Sequence, residues 1–328
     1  MTMSGIFGVA TLPEKRGSGL MSAALRRLLE DARARGDPIS ALYPAVIRPY
    51  RRLGFELAGS FTQHQLPIEA IPTFRGYDLP AVELLDLERD LEGIQACYRV
   101  WAGARTGTIE PVDDRWWTIR VFDRPFDETL RVVVVRGDAG VEGFAAFARE
   151  PTSGPLDVSF GIDCNPLVAT TERALRAMFM YFRGHHGVGR WVRWVGPPND
   201  PITLWIEEQN VEHHYRFTWM LRLLDVPAAF ERRGYPAEDG ACTIAVDDPL
   251  FPDNAGPWRI EAAGGKVAVS RTEGPARPIP IGTLSSLFTG YLRPADAVRL
   301  GLLDADDPSV DVLSRLLTGP DPWCPFFF

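Results

Sequence analysis

The sequence predicts an α/β protein made of two successive α/β modules and a smaller α+β domain. Its 328 residues, 45% of them hydrophobic, exceed the roughly 250–300 residues at which single cores stop growing, so two or three domains are expected. From Gly5 to about Pro67, and again from about Leu79 to Phe217, short apolar runs alternate with stretches of helical periodicity, with polar turn residues between them. From Met220 onward the strand-like runs come first and the helical spacing gathers at the end. Domains over 1–75, 76–218 and 219–328 follow from these changes of pattern.

In the first module a strand is expected over 6–11, then a loop, Arg16-Gly17-Ser18-Gly19, and a helix with Leu20, Ala24, Leu25, Leu28 and Leu29 on one face. A strand over 39–42 leads to a short helix containing Tyr50, closed by Gly54, with Phe55 on a new strand. The second module carries a helix around 91–102, strands over 131–135 and 143–149, and a helix over 171–181. The third begins with the strand-like `MLRLLDV` and the helix-like `PAAFERRG`, followed by strands near 242–246, 258–260 and 266–269. Then `IGTLSSLFTG`, `ADAVRLGLL` and `SVDVLSRLLTG` repeat apolar residues at helical spacing, with glycines where helices stop. The chain ends in `PWCPFFF`.

Bulk properties exclude several functions. A net charge of −8 lacks the dense Lys/Arg surface that displaces counterions from a phosphate backbone, so no nucleic-acid partner is expected and cationic substrates fit better. Cys97, Cys164, Cys242 and Cys324 lie far apart with no C-x-x-C pair, which argues against a zinc ribbon and for a reduced, cytoplasmic chain. No apolar run reaches the roughly 18 residues that span a bilayer. No metal is expected: His185-His186 and His213-His214 are adjacent pairs that point apart, without H-E-x-x-H or carboxylate spacing. Trp191, Trp194 and Trp205 read as packing residues, and Asp113-Asp114 either caps a helix or lines an amine pocket.

The informative stretch is `GVATLPEKRGSGLMSAALRRLLEDARARG`. A strand feeding a glycine-containing loop that opens an amphipathic helix makes an anion site: the first-turn N–H groups are free and the macrodipole's positive end lies behind them. Glycines let the backbone approach a diphosphate, and Arg16 adds a charge-assisted hydrogen bond. No Gly-Lys-Ser/Thr follows, and Leu20-Met21-Ser22 supplies no third glycine, so neither a Walker loop nor a dinucleotide fingerprint is present.

With `ISALYPAVIRPYRRLGFE` downstream, the two segments resemble the cofactor half of GNAT N-acetyltransferases, and more narrowly the Eis (enhanced intracellular survival) family. The detailed likeness covers about 60 residues, and the domain order, tandem GNAT-like domains before a sterol-carrier-protein-like domain, agrees over the rest. The resemblance implies acetyl-CoA as co-substrate. Val9, Ala10 and Thr11 would pair with its pantetheine, Arg16, Gly17, Ser18, Gly19, Leu20, Met21 and Ser22 would hold its diphosphate, and Ala45 and Val46 would line the same site. It further implies Tyr50 as general acid to the leaving thiolate and the terminal carboxylate of Phe328 as general base. Burial of the three final phenylalanines would fix that terminus. An ordinary α-carboxyl titrates near 3.5, so a base role needs partial burial or a bridging water.

The acceptor implied is a primary amine, of a cationic aminoglycoside- or polyamine-like molecule or of lysine, and the assembly implied is a homohexamer. A catalytically impaired CoA- or lipid-binding module is the alternative. Relative to that family the first domain is shortened at its N-terminus: a strand, two helices and further strands precede the position of Met1 there, and an uncovered sheet edge is expected here.

Overall fold

A computed structural model describes residues 1–111, 113–122, 129–152, 158–274 and 277–328. The chain opens with β1 (Met3–Ile6), α1 (Leu20–Ala34), β2 (Ile39–Leu42), the single-turn α2 (Arg48–Arg51), β3 (Glu56–Pro67) and β4 (Val82–Leu84). Then come α3 (Leu87–Gly103), the single-turn α4 (Asp114–Trp117), β5 (Arg131–Gly137), β6 (Gly140–Pro151), β7 (Phe160–Ala169), α5 (Glu172–Arg183) and β8 (Gly189–Gly196). The last part holds β9 (Glu212–Leu223), α6 (Val226–Arg232), β10 (Gly240–Asp247), β11 (Gly256–Ala263), β12 (Lys266–Arg271) and β13 (Pro278–Pro280), then α7 (Ile281–Thr289), α8 (Pro294–Arg299) and α9 (Ser309–Leu316). Side-chain caps explain several helix starts: Asp86, Asp113, Thr171 and Asp225 each accept amides of the first turn of α3, α4, α5 and α6. Asp113 is therefore a helix cap.

The chain forms two compact units, Met1–Gly59 with Thr218–Pro322 and Phe327–Phe328, and Ser60–Phe217 with Trp323–Phe326. In the first unit β1 pairs parallel with β2, and β2 pairs antiparallel with the end of β9. Alternation along these strands separates two faces. One face carries Ile6, Leu42 and Met220 and packs on Leu25, Leu29 and Ala32 of α1 together with Tyr50 and Phe55. The other carries Met3, Ile39, Leu221, Leu223 and Trp219 and packs on Phe230, Leu284, Leu287 and Leu313. A second sheet, in the order β12-β11-β10-β13, completes that unit. Glycine ends α7 as the periodicity predicts: Gly290 lies at φ 81°, beyond Thr289.

In the second unit β3 pairs antiparallel with β8, β8 parallel with β7, and β7, β6, β5 and β4 follow antiparallel. Ala174, Ala177, Met178, Phe179 and Phe182 of α5 bury against this sheet. Asp90 on α3 is 2% exposed and takes hydrogen bonds from Arg136 Nη2 (2.6 Å), the Asp86 amide (3.0 Å) and Arg89 Nε (3.1 Å). Burial alone would raise its carboxyl, but those donors hold it at about 2. A depressed carboxyl contributes stability above its unfolded pKa and loses it as pH falls through the folded value, here from about pH 4 to about pH 2. Asp90→Asn is expected to cost about 2 kcal/mol at pH 7. In urea titrations the gap from the parent should narrow steadily toward pH 2.5 or so.

One element expectation needs correction. The strand expected over 6–11 lies instead at Met3–Ile6, and residues 7–12 leave the sheet. Ladder pairing stops at Ile6 with Leu42, so the apolar run beyond it has strand-like composition but no neighbouring strand.

Candidate active site

The site grows from that departure. Gly8, at φ 72°, turns the chain away from β2, while on the other side β2 runs into Tyr43 and Pro44, the latter without an N–H to offer. The two parallel strands thus splay. A cleft of about 600 Å³ opens between residues 4–12 and α1, lined among others by Val9, Ala10, Thr11, Lys15, Leu20 and Met21. Val9 and Ala10 are exposed, and their amides pair with no strand, which leaves backbone donors and acceptors for an extended amide-bearing ligand.

The loop closing the cleft is held by its own backbone. The Lys15 amide donates to Leu12 O (2.9 Å), the Arg16 amide to Pro13 O (3.2 Å), and Ser18 Oγ to Lys15 O (2.6 Å). Gly17 and Gly19 lie at φ 82° and 81° with nothing near the place a Cβ would occupy, so conformation rather than space demands glycine there. Gly19 is the N-cap of α1 and offers no capping side chain; no acidic residue lies in the first turn, and the first helical hydrogen bond is Ala23 N to Gly19 O (3.0 Å). The amides of Leu20, Met21 and Ser22 therefore have no helical acceptor. Arg16, Gly17, Ser18, Gly19 and Ser22 are exposed around them.

The face of α1 also differs from expectation. Leu25 and Leu29 are buried with Ala32, but Leu20 is 57% exposed and Leu28 49% exposed, and these two line the cleft with Ala24. The five apolar residues form two stripes, one in the core and one along the cleft. Ala45 and Val46 are exposed just before α2 and do not line the cleft. Gly5, Phe7, Lys15 and Arg35 do line it without having been singled out by motif; a cation at either end of the loop and helix was the available signal.

Tyr50 is 6% exposed, its ring edge-to-face with Phe55 at 6.2 Å. Its hydroxyl bonds to none of the described residues, yet it is absent from the fully enclosed unpaired atoms; it faces an opening as a free donor. Burial raises the phenol above its ordinary value, so it is protonated at neutral pH.

The tail reaches the sheet from the other face. Phe327 and Phe328 pack on Tyr43 with ring centroids at 4.5 and 5.0 Å, and Phe328 lies 6.1 Å from Trp219. A Cβ on Gly5 would stand 3.8 Å from the Phe328 carboxyl carbon. Gly5 also lines the cleft, whereas Phe328 and Tyr50 are not among the residues that line it. Ile6 faces the Tyr50 core while Gly5 faces Phe328, so Tyr50 and Phe328 lie on opposite faces of β1.

Residues 1–58 and 112–223 match acetyltransferase (GNAT) domain families, and residues 226–325 match a sterol carrier protein domain family. An uncharacterized N-acetyltransferase of Streptomyces griseus is 26% identical over 98% of this chain and 81% of its own length. The GCN5-related N-acetyltransferase of Anabaena variabilis superposes with a TM-score of 0.90 at 26% identity, over 99% of this chain and 82% of that one. Eis1 of Mycobacterium abscessus shares the fold, with a TM-score of 0.81 at 24% identity over 99% and 82%. The chain is a GNAT N-acetyltransferase. The first GNAT match spans both the cleft and Tyr50, and the sterol carrier match stops three residues before Phe328. In this acetyltransferase all four cysteines are buried thiols outside any disulfide, and burial pushes the Cys97 and Cys242 thiols up to about 11 and Cys324 to about 12. None of these three is a thiolate at neutral pH. Among the described residues no three His, Cys, Asp or Glu side chains converge as a metal site, and no helix is long and apolar enough to cross a membrane.

Proposed function

We propose that this acetyltransferase moves the acetyl group of acetyl-CoA directly onto a primary amine of a cationic small molecule, of the aminoglycoside or polyamine kind, or of lysine. The reading is supported by the open amides of α1 beside the cleft, a Tyr50 hydroxyl that bonds to no described residue, and a Phe328 carboxyl beside Gly5 of the cleft strand. Acetyl-CoA would lie with its pantetheine along Val9, Ala10 and Thr11 and its diphosphate over residues 16–22, with Lys15 adding positive charge. Ala45 and Val46 would flank its acyl end.

In this reading the Phe328 carboxylate takes a proton from the incoming ammonium, and the freed lone pair attacks the thioester carbonyl. The new C–N bond forms, the C–S bond breaks as the Tyr50 phenol protonates the departing thiolate, the second nitrogen proton restores the phenol as the amide forms, and the carboxylate releases its proton to solvent. The buried thiols argue for direct transfer without an acyl-cysteine. The family likeness extends the proposal to a homohexamer in a reducing compartment, which sedimentation of the purified chain would test.

Calorimetry with acetyl-CoA, followed by thiol release with polyamines, aminoglycosides and lysine peptides, tests the transfer. Release of one thiol per acetylated amine is expected from at least one cationic acceptor. Tight binding with no thiol released by any amine would leave a CoA- or lipid-binding module.

A second prediction concerns the loop. Gly19→Val is expected to strain the αL cap by about 1–2 kcal/mol and to weaken acetyl-CoA binding by about tenfold. Both effects can be read from one thermal shift series with and without ligand.

A further inference from the structure

Arg222 of β9 is 0% exposed and pairs through Nη2 with the buried Asp248, at 2.7 and 3.1 Å to its two oxygens. Its Nε and Nη1 are fully enclosed without a hydrogen-bond partner among the described residues. A buried ion pair often contributes no more stability than apolar packing of the same volume, and unmatched donors lower its contribution further. What this guanidinium does is therefore read from what its second nitrogen touches. A Cβ on Gly54 would collide with Arg222 Nη1 and stand 2.7 Å from Ile281 Cγ2, so the guanidinium lies directly against the Gly54 backbone.

Gly54, at φ 83°, closes the turn that carries Tyr50. The Gly54 amide donates to Arg51 O (3.0 Å), and Tyr50 O accepts the amides of Leu53 (2.9 Å) and Phe55 (3.2 Å) on either side of it. The Tyr50 ring also meets Phe55 edge-to-face, so the turn and the ring move together. Arg222 shares their face of the sheet: it pairs in register with Ser40, and the neighbouring Leu42 and Met220 of the same ladder pack with Tyr50. Asp248 has holds of its own. Its Oδ1 accepts the amides of Leu250 and Phe251, each at 3.1 Å, and its Oδ2 accepts Asn254 Nδ2 at 3.0 Å. One nitrogen of the fork is thus anchored on that loop, and the other bears on the turn.

We propose that Arg222 is a positioning residue: anchored by Asp248, its guanidinium braces the Gly54 turn and so holds the Tyr50 phenol in line with the departing thiolate. The inference rests on the acid role of Tyr50 given under the proposed function. Arg222→Lys keeps a charge beside Asp248 but has a single nitrogen where the guanidinium spreads two between Asp248 and Gly54. Without the brace the turn shifts, and a small displacement of the proton donor slows its transfer while leaving the cofactor loop as it was.

The test compares kcat for thiol release and the Kd for acetyl-CoA in Arg222→Lys, in Tyr50→Phe and in the two combined, all as the full chain. Arg222→Lys is expected to lower kcat about tenfold with Kd within about twofold of the parent, and to change kcat by less than about twofold in the Tyr50→Phe background. Arg222→Met combined with Asp248→Asn, which removes both charges and keeps an oxygen for the loop amides, is expected to do the same. A parental kcat in the folded Arg222→Lys chain, or an undiminished loss in the Tyr50→Phe background, overturns the proposal. So does failure of both forms to fold, which assigns the pair to stability. If Tyr50→Phe alone keeps the parental kcat, the acid reading falls and this inference with it; if Tyr50→Phe lowers kcat while Arg222→Lys does not, the Arg222 inference alone falls.

Discussion

Tyr50→Phe is expected to lower kcat by about 10²-fold or more while leaving the Kd for acetyl-CoA within about twofold. The variant removes one oxygen from a ring whose packing on Phe55 and the α1 face is unchanged. Nothing in the described protein bonds to that oxygen, so no internal partner is orphaned and stability should stay within about 0.5 kcal/mol. The direction of the pKa matters. Because burial raises the phenol, the acid form is present across the neutral range, and the parental rate should hold on the alkaline side until pH passes about 10. A leaving thiolate without its proton donor slows C–S cleavage, so the loss should shrink with thioesters of more acidic thiols. Stopped-flow thiol release with a series of acyl thioesters reads both effects.

Adding one glycine after Phe328 is expected to lower kcat/KM by about 10²-fold and to abolish the acid limb of its pH profile. The change keeps every phenylalanine ring and moves only the carboxylate, by one residue, from its place beside Gly5. Deleting Phe328 is a different perturbation, because it also removes a ring packed against Tyr43 and Trp219 and should cost about 1–3 kcal/mol of stability. Comparing the two separates the tail's charge from its packing. Equal activity for the extended chain and the parent would assign the tail to packing alone.

Much of this was legible in the sequence because local rules and the fold agree. Gly17 and Gly19 stand where the backbone needs positive φ, and the apolar spacing of `IGTLSSLFTG` ends on a glycine that caps α7. The failures share a physical cause. Residues 7–12 have the composition of a strand because they border an apolar cleft, yet no strand lies beside them, and a pattern cannot tell a neighbouring strand from a ligand. Leu20 and Leu28 keep the helical period of Leu25 and Leu29 but face the cleft. Strand β7 carries Asp163, Asn165 and Pro166, residue types that favour turns and leave the strand without a clear sequence pattern. Tyr43, Gly5 and Trp219 meet Phe328 only through strand pairing and the return of the tail, contacts too distant in sequence for any motif.

The proposed grip of the first turn of α1 on the diphosphate of coenzyme A is tested most directly by calorimetric titration with acetyl-CoA and with S-acetyl-pantetheine, which lacks that diphosphate. One acetyl-CoA is expected to bind per chain, about 100-fold or more tighter than the shortened thioester, a difference of about 2.7 kcal/mol. Equal affinity for the two, or no binding of acetyl-CoA, would contradict it.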